Sequence, residues 1–137
     1  MTWAEGTELP AQSFHVTRAD LVAYAGVSGD LNPIHWSDRV ALSVGLPGVV
    51  AHGMVTMAMG ARALAVWAGD PGRVTDYGVR FTRPVVVPDD DGGVDIDVRG
   101  VVASVDGLTA RVDLTVTCAG TSVLGQARAS VTVGSDA

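Results

Sequence analysis

The chain has 137 residues, of which 47% are hydrophobic and 18% charged, with a formal net charge of −6. That length predicts one domain over residues 1–137, and the acidic balance argues against nucleic-acid binding. The single cysteine, Cys118, excludes an internal disulfide and a cysteine-based zinc site, and no run is long and apolar enough for membrane insertion.

Gln12 to Val16 reads as a short strand. Thr17-Arg18-Ala19-Asp20 resembles a capping box and opens a short helix with Leu21, Val22, Tyr24 and Ala25 on its apolar face. Gly26 and Gly29 bracket the end of that helix. Ser37 is placed to cap a second short helix over Asp38 to Val44, stopped by Gly45 and Pro47. Met54 to Ala68 is the strongest helical segment. It lacks proline, carries only Arg62 as a charge and is apolar nearly all round, which predicts burial. From Val74 the period changes to that of strands. Apolar residues alternate with polar ones over Val94–Val98, Ala110–Cys118 and Ala127–Val133, as in antiparallel strands with one buried face. Asp106-Gly107 and Ala119-Gly120 mark hairpin turns, and Asp89 to Gly93 marks a looser loop. Cys118 falls within the alternation and reads as a small core residue. Gly134 to Ala137 reads as a frayed tail.

One buried helix followed by an antiparallel meander packs most simply as a sheet wrapped around the helix. The expected fold is α+β, a hot-dog. A single such layer leaves an edge strand and an apolar flank open, so dimerisation is the natural completion.

The chemistry lies in Gly29-Asp30-Leu31-Asn32-Pro33-Ile34-His35. Pro33 disfavours helix at Asn32, so Asp30 and His35 flank a stiff turn that can fold both side chains toward one point. A carboxylate and an imidazole converging there can hold a water and move protons. Alone, this pattern is equally good turn chemistry.

Tyr24 to His35, together with Ala51-His52-Gly53-Met54 downstream, resembles the hydratase-2 motif of MaoC-like dehydratases and R-specific enoyl-thioester hydratases. Over Thr17–Val50 and Gly69–Thr82 the chain is most similar to catalytic subunits of mycobacterial-type (3R)-hydroxyacyl-ACP dehydratases, which pair with a second hot-dog subunit lacking the motif. The resemblance implies reversible dehydration of (3R)-hydroxyacyl thioesters of acyl carrier protein (ACP) or coenzyme A (CoA) to trans-2-enoyl thioesters. Asp30 and His35 would be the catalytic pair, and the Gly53 N–H, at the start of the buried helix, the oxyanion donor. No cofactor is implied, since the thioester is itself the substrate.

Ser28, Asn32 and His52 are expected to support the site from behind it. Tyr24, Trp36, Met54 and Met57 are candidates for the wall of an acyl tunnel, with core filling the plainer role for the methionines. Asp30, His35 and His52 have the ligand types for a metal, but nothing else supplies a ligand cluster and no metal is expected. Arg80 and Arg83, flanking Phe81 and Thr82, are a candidate pair for docking an acidic carrier, although a solvated surface reading is simpler. Other hot-dog functions are a degradative or polyester-supplying R-hydratase, a thioesterase, and a non-catalytic acyl-binding subunit. A homodimer and a heterodimer with a second hot-dog subunit are both compatible with the sequence, and a cytoplasmic location is expected because no charged-then-apolar leader opens the chain.

Overall fold

The computed structural model describes residues 2–134, and the expected tail from Ser135 lies outside them. The alternating segments form β1 (Glu8–Val16), β2 (Val74–Phe81), β3 (Val94–Asp106), β4 (Thr109–Cys118), β5 (Thr121–Ser122) and β6 (Leu124–Thr132). They make one antiparallel sheet in the order β1-β3-β4-β6-β2, with β5 added beside β4. Ile96, Val98 and Val102 of β3, Ala110, Val112 and Val116 of β4, and Ala127, Ala129 and Val131 of β6 all point into the core. The period-2 pattern follows from alternate side chains leaving opposite faces of a strand. Ala119 and Gly120 both have positive φ, 50° and 77°, and close the two-residue turn between Cys118 and Thr121.

β1 begins four residues before the strand expected from the sequence. Its register shifts between Leu9 and Gln12, around Pro10. Proline has no N–H to give a ladder, and β1 is an edge strand that tolerates such an irregularity. β2, the other edge, shows mixed burial rather than alternation, which is why only its start could be placed.

Three α-helices and two short 3-10 turns fill the space before and beside the sheet. Helix α1 (Arg18–Ser28) has the expected capping box: Asp20 N donates to Thr17 Oγ1 at 3.3 Å and Thr17 N to Asp20 Oδ2 at 2.8 Å. Gly26 lies inside α1 rather than at its end, and Gly29, at φ 75°, is the left-handed cap that stops it. Ser37 caps α2 (Asp38–Ser43) through Val40 N. Helix α3 (Gly53–Ala68) crosses the sheet, burying Val55, Ala63, Leu64 and Trp67 against it. Two glycines permit this contact. A Cβ on Gly100 of β3 would lie 2.7 Å from the Trp67 ring, and one on Gly60 of α3 would lie 2.2 Å from the Tyr77 hydroxyl oxygen.

The expectation that α3 is buried all round is corrected. Met54 and Val66 are 54% and 57% exposed, and Arg62 opens to the same side. One curved sheet covers a helix on its concave side only, so a stripe of α3 faces outward. Apart from Arg62 that stripe is apolar, as are the exposed Val27, Leu31, Trp36, Leu42 and Val44 of the preceding segment. None of the described helices is long and apolar enough to cross a membrane.

Candidate active site

The turn after α1 is built by short side chains bonding to nearby backbone. Asp30 N donates to Ser28 Oγ at 3.1 Å, Asn32 N to Asp30 Oδ1 at 3.2 Å, and Ile34 N to Asn32 Oδ1 at 3.2 Å. Asn32, at φ −55° and ψ 122°, has the extended geometry a following proline imposes and caps a 3-10 turn over Pro33–His35. His35 thereby swings inward and is buried, while Asp30 stays half-exposed.

His35 Nδ1 lies 2.7 Å from the Val50 carbonyl oxygen. A carbonyl only accepts, so Nδ1 carries the proton and Nε2 of the neutral ring presents a lone pair. That nitrogen sits 3.8 Å from Asp30 Oδ2. The separation is too long for a direct hydrogen bond and leaves a point within reach of both groups. The Val50 carbonyl is fixed in turn: Val50 N donates to Ile34 O at 3.1 Å, and Ala51 N to Val85 O at 2.8 Å.

His52 stands behind the pair. Its Nε2–H donates to the Asp30 carbonyl at 3.1 Å, and its ring stacks on His35 with centroids 3.7 Å apart and planes 21° apart. Tyr24 packs edge-on against its other side at 4.7 Å. His52 Nδ1 is buried and has no partner among the described residues.

Asp30, His35 and His52 do bring one ligand atom each to within 4.8 Å of the others. Their geometry fits a metal poorly. Imidazole lone pairs lie in the ring plane, and two stacked, near-parallel planes do not meet at ligand distance.

Gly53 is the first residue of α3, with His52 as its N-cap. Its N–H is among the donors a helix start leaves without an intrahelical partner. It opens on a cleft of about 370 Å³ whose walls include Ile34, His35, Val50, Thr56, Phe81 and Val85. A Cβ at position 53 would come within 3.1 Å of the Phe81 ring, so glycine keeps this mouth open. The cleft is therefore lined by His35 and by the first residue of α3, and Asp30, outside its lining, lies 3.8 Å from His35 Nε2.

Tyr24, Trp36, Met54 and Met57 are placed elsewhere. Tyr24 supports His52 from behind, the Trp36 indole N–H bonds the Leu31 carbonyl at 3.1 Å, Met54 faces outward, and the Met57 carbonyl accepts from the Tyr77 hydroxyl at 2.9 Å. The walls come instead from Ile34, Leu46, Val50, Thr56 and the segment Phe81–Val85. Thr56 carried a signal, as a polar residue one turn into an apolar helix. The Val50 carbonyl carried none, because any residue supplies one. Arg80 and Arg83 part company: Arg83 lines the cleft, and Arg80 leaves β2 on the opposite face of the sheet. Cys118 stands away from the cleft; burial first, then the Asp97 and Asp95 carboxylates, push its thiol up, which makes it a poor nucleophile.

Residues 3–119 match the model of the MaoC like domain. The chain belongs to that family. It is 39% identical over 114 residues to the 3-hydroxyacyl-thioester dehydratase X of Mycobacterium tuberculosis, an alignment covering 75% of this chain and 39% of that protein. A solved MaoC-like dehydratase superposes with a TM-score of 0.91 at 44% identity, covering 95% of this chain and 40% of that one. The R-hydratase PhaJ1 from Pseudomonas aeruginosa superposes with a TM-score of 0.79 at 27% identity, covering 94% and 81%. This MaoC-like chain thus spans about two fifths of the first two relatives, and its fold is the hot-dog expected from the strand pattern.

Proposed function

We propose that this MaoC-like domain is a hydro-lyase that reversibly dehydrates (3R)-hydroxyacyl thioesters to trans-2-enoyl thioesters in fatty-acid synthesis. The observation that carries the reading is the 3.8 Å gap between Asp30 Oδ2 and His35 Nε2, beside a cleft that also receives the Gly53 N–H. The dehydratase and R-hydratase names of its relatives support the same reaction.

In the hydration direction, a water held between Asp30 and His35 forms its C–O bond to C3 and gives a proton to the pair. The C2=C3 electrons move toward the thioester, so negative charge grows on its carbonyl oxygen. Gly53 N–H and the positive end of α3 face that oxygen, and C2 then takes a proton from the same pair. Dehydration runs these steps backward, with a proton leaving C2 and water leaving C3. His35 enters with a free Nε2 lone pair, which suits it to accept the first proton.

The open stripe of α3 and the apolar segment before it suit a second hot-dog unit, as a copy of this chain, a different subunit or a second domain. The thioester is carried by ACP or by CoA, and the protein acts in the cytoplasm. The test is hydration of crotonyl-CoA, followed by loss of enoyl absorbance with chiral analysis of the product. A 3R product made by the wild type and lost in Asp30→Asn and His35→Ala is expected. Undiminished turnover in both variants overturns the reading, and release of free thiol makes the chain a thioesterase.

A further inference from the structure

We propose that the outer face of the sheet carries a phosphate subsite, formed by Arg80, Arg111 and Arg128, that holds the phosphorylated end of the thioester's pantetheine arm. The proposal rests on the dehydratase reading above.

A concavity of about 440 Å³ lies on the solvent side of β2, β6 and β4, and these three arginines line it with Asp76 as the one carboxylate. The chain has nine arginines, no lysine and a net charge of −6, so a third of its cations meet in one hollow. Arg80 and Arg111 form no ion pair among the described residues. Arg128 has only a loose one, with Nε 3.9 Å from Asp113 Oδ1 and both side chains more than half exposed. Their guanidinium donors are therefore free for an anion. A guanidinium suits phosphate because it presents two parallel N–H groups to two oxygens.

The hollow is a deformation of the sheet. The β2–β6 register shifts between Gly78 and Arg80, and on β6 the facing Gln126 has φ 46°, rare for a residue with a side chain. Beyond that shift the strands pair again, Arg80 with Gly125 and Phe81 with Leu124.

This last pairing joins the hollow to the cleft. Arg80 and Phe81 are successive strand residues, so their side chains leave on opposite faces. Phe81 lies against Gly53 inside the cleft, and Arg80 lies in the outer hollow. β2 is the last strand of the sheet, and its end at Phe81 and the following Thr82 and Arg83 are exposed. A thioester whose carbonyl meets Gly53 can run its long arm past this end, bringing the phosphate to the arginines. CoA and a phosphopantetheinylated carrier share that chemistry.

The experiment compares three enoyl thioesters on the full chain: crotonyl-CoA, crotonyl-carrier, and the phosphate-free crotonyl-N-acetylcysteamine. Arg80→Gln, Arg111→Gln and Arg128→Gln should each lower the CoA to N-acetylcysteamine ratio of kcat/KM about threefold, as exposed charge contacts do, with Arg99→Gln as the neutral control. Added salt should raise KM for the phosphorylated substrates only. A parallel loss on the carrier substrate assigns the shared pantetheine phosphate; loss on CoA alone assigns its nucleotide phosphates. Calorimetric binding of free CoA against free pantetheine, in the Asp30→Asn protein, reads the subsite without turnover, so failure of the dehydratase reading does not mask it. An unchanged substrate ratio together with equal CoA affinity in the wild type and the triple Arg→Gln variant overturns the proposal.

Discussion

The two walls of the cleft are made in different ways. The wall bearing His35 comes from one stretch of eight residues, Ser28–His35, in which Ser28, Asp30 and Asn32 each bond backbone two residues on. The wall facing it comes from Phe81–Val85, fixed by contacts with parts of the chain far away in sequence: Val85 O accepts from Ala51 N, Thr82 N donates to Val123 O, and Phe81 lies on Gly53. The proposed acid–base pair is therefore encoded locally, and the shape of the cleft beside it is encoded at long range. Changes in the first wall should act on turnover, and changes in the second on stability and substrate fit.

The largest effect tests the local wall. His35→Ala removes the Nε2 lone pair and Asp30→Asn removes the carboxylate beside it. Each should reduce kcat about 10²- to 10⁴-fold, the usual worth of general acid–base catalysis, with little change in melting temperature. The double variant should be no worse than the weaker single one, because the two share one water. Multiplicative losses would show that they act on separate steps.

His52 tests whether the local wall needs support. His52→Phe keeps an aromatic ring against His35 and Tyr24 but loses the bond to the Asp30 carbonyl. Freed by that loss, the carboxylate shifts, and kcat should fall about 10- to 100-fold, since misplacement near 1 Å costs that order. KM should stay near the wild-type value. A fall in stability with unchanged kcat would reduce His52 to a packing residue.

These differences also explain what the sequence discloses. The capping box at Thr17, the Gly29 stop, the Asn32-Pro33 turn and the β3–β4–β6 alternation follow from neighbours two to four residues apart, and all are legible. The outward stripe of α3 is not, because Met54 and Val66 are as apolar as Val55 and Leu64, and only the extent of the sheet decides which side is covered. The cleft walls fail for the same reason. Tyr24 and Met57 lie near the motifs in sequence, but Tyr24 backs His52 and the Met57 carbonyl anchors Tyr77. Leu46 and Val85 enter through bridges such as Val50 with Val86 that no local pattern announces.

Gly60 tests the long-range wall. The Tyr77 hydroxyl of β2 crosses to the Met57 carbonyl, over the gap that Gly60 leaves. Burial pushes the Tyr77 phenol up to about 12, so it stays a hydrogen-bond donor throughout the working range. Gly60→Ala drives a methyl against that oxygen and should destabilise the protein by about 1–3 kcal/mol, the usual cost of overpacking. Since β2 also carries Phe81, KM for long acyl chains should change more than kcat. Phe81→Ala, by contrast, should widen the mouth at little cost in stability, because Phe81 is already 57% exposed.

The smallest effect lies where the two walls meet. Asp38 accepts from Val49 N at 3.0 Å and from Arg18 Nη2 at 2.8 Å, and Arg18 Nε also donates to the Val87 carbonyl. This clamp fixes the residue before Val50, whose carbonyl orients His35. The Val49 N–H bond first, and the Arg18 guanidinium second, hold the Asp38 carboxyl below its ordinary value of 3.8. A carboxyl lowered by folding adds stability that is present above the unfolded value and lost as pH falls through the folded one. Asp38→Asn should therefore lower the melting temperature at neutral pH, with the gap from wild type closing as pH drops from about 5 to about 2. Because Asp38 is about half exposed while Arg18 is mostly covered, 0.5 M salt should shrink the gap at neutral pH only in part: some of the Arg18 contribution is screened, while the bond from Val49 N–H remains. A gap that persists unchanged at low pH would place the stabilisation in the shape of the side chain rather than in its charge.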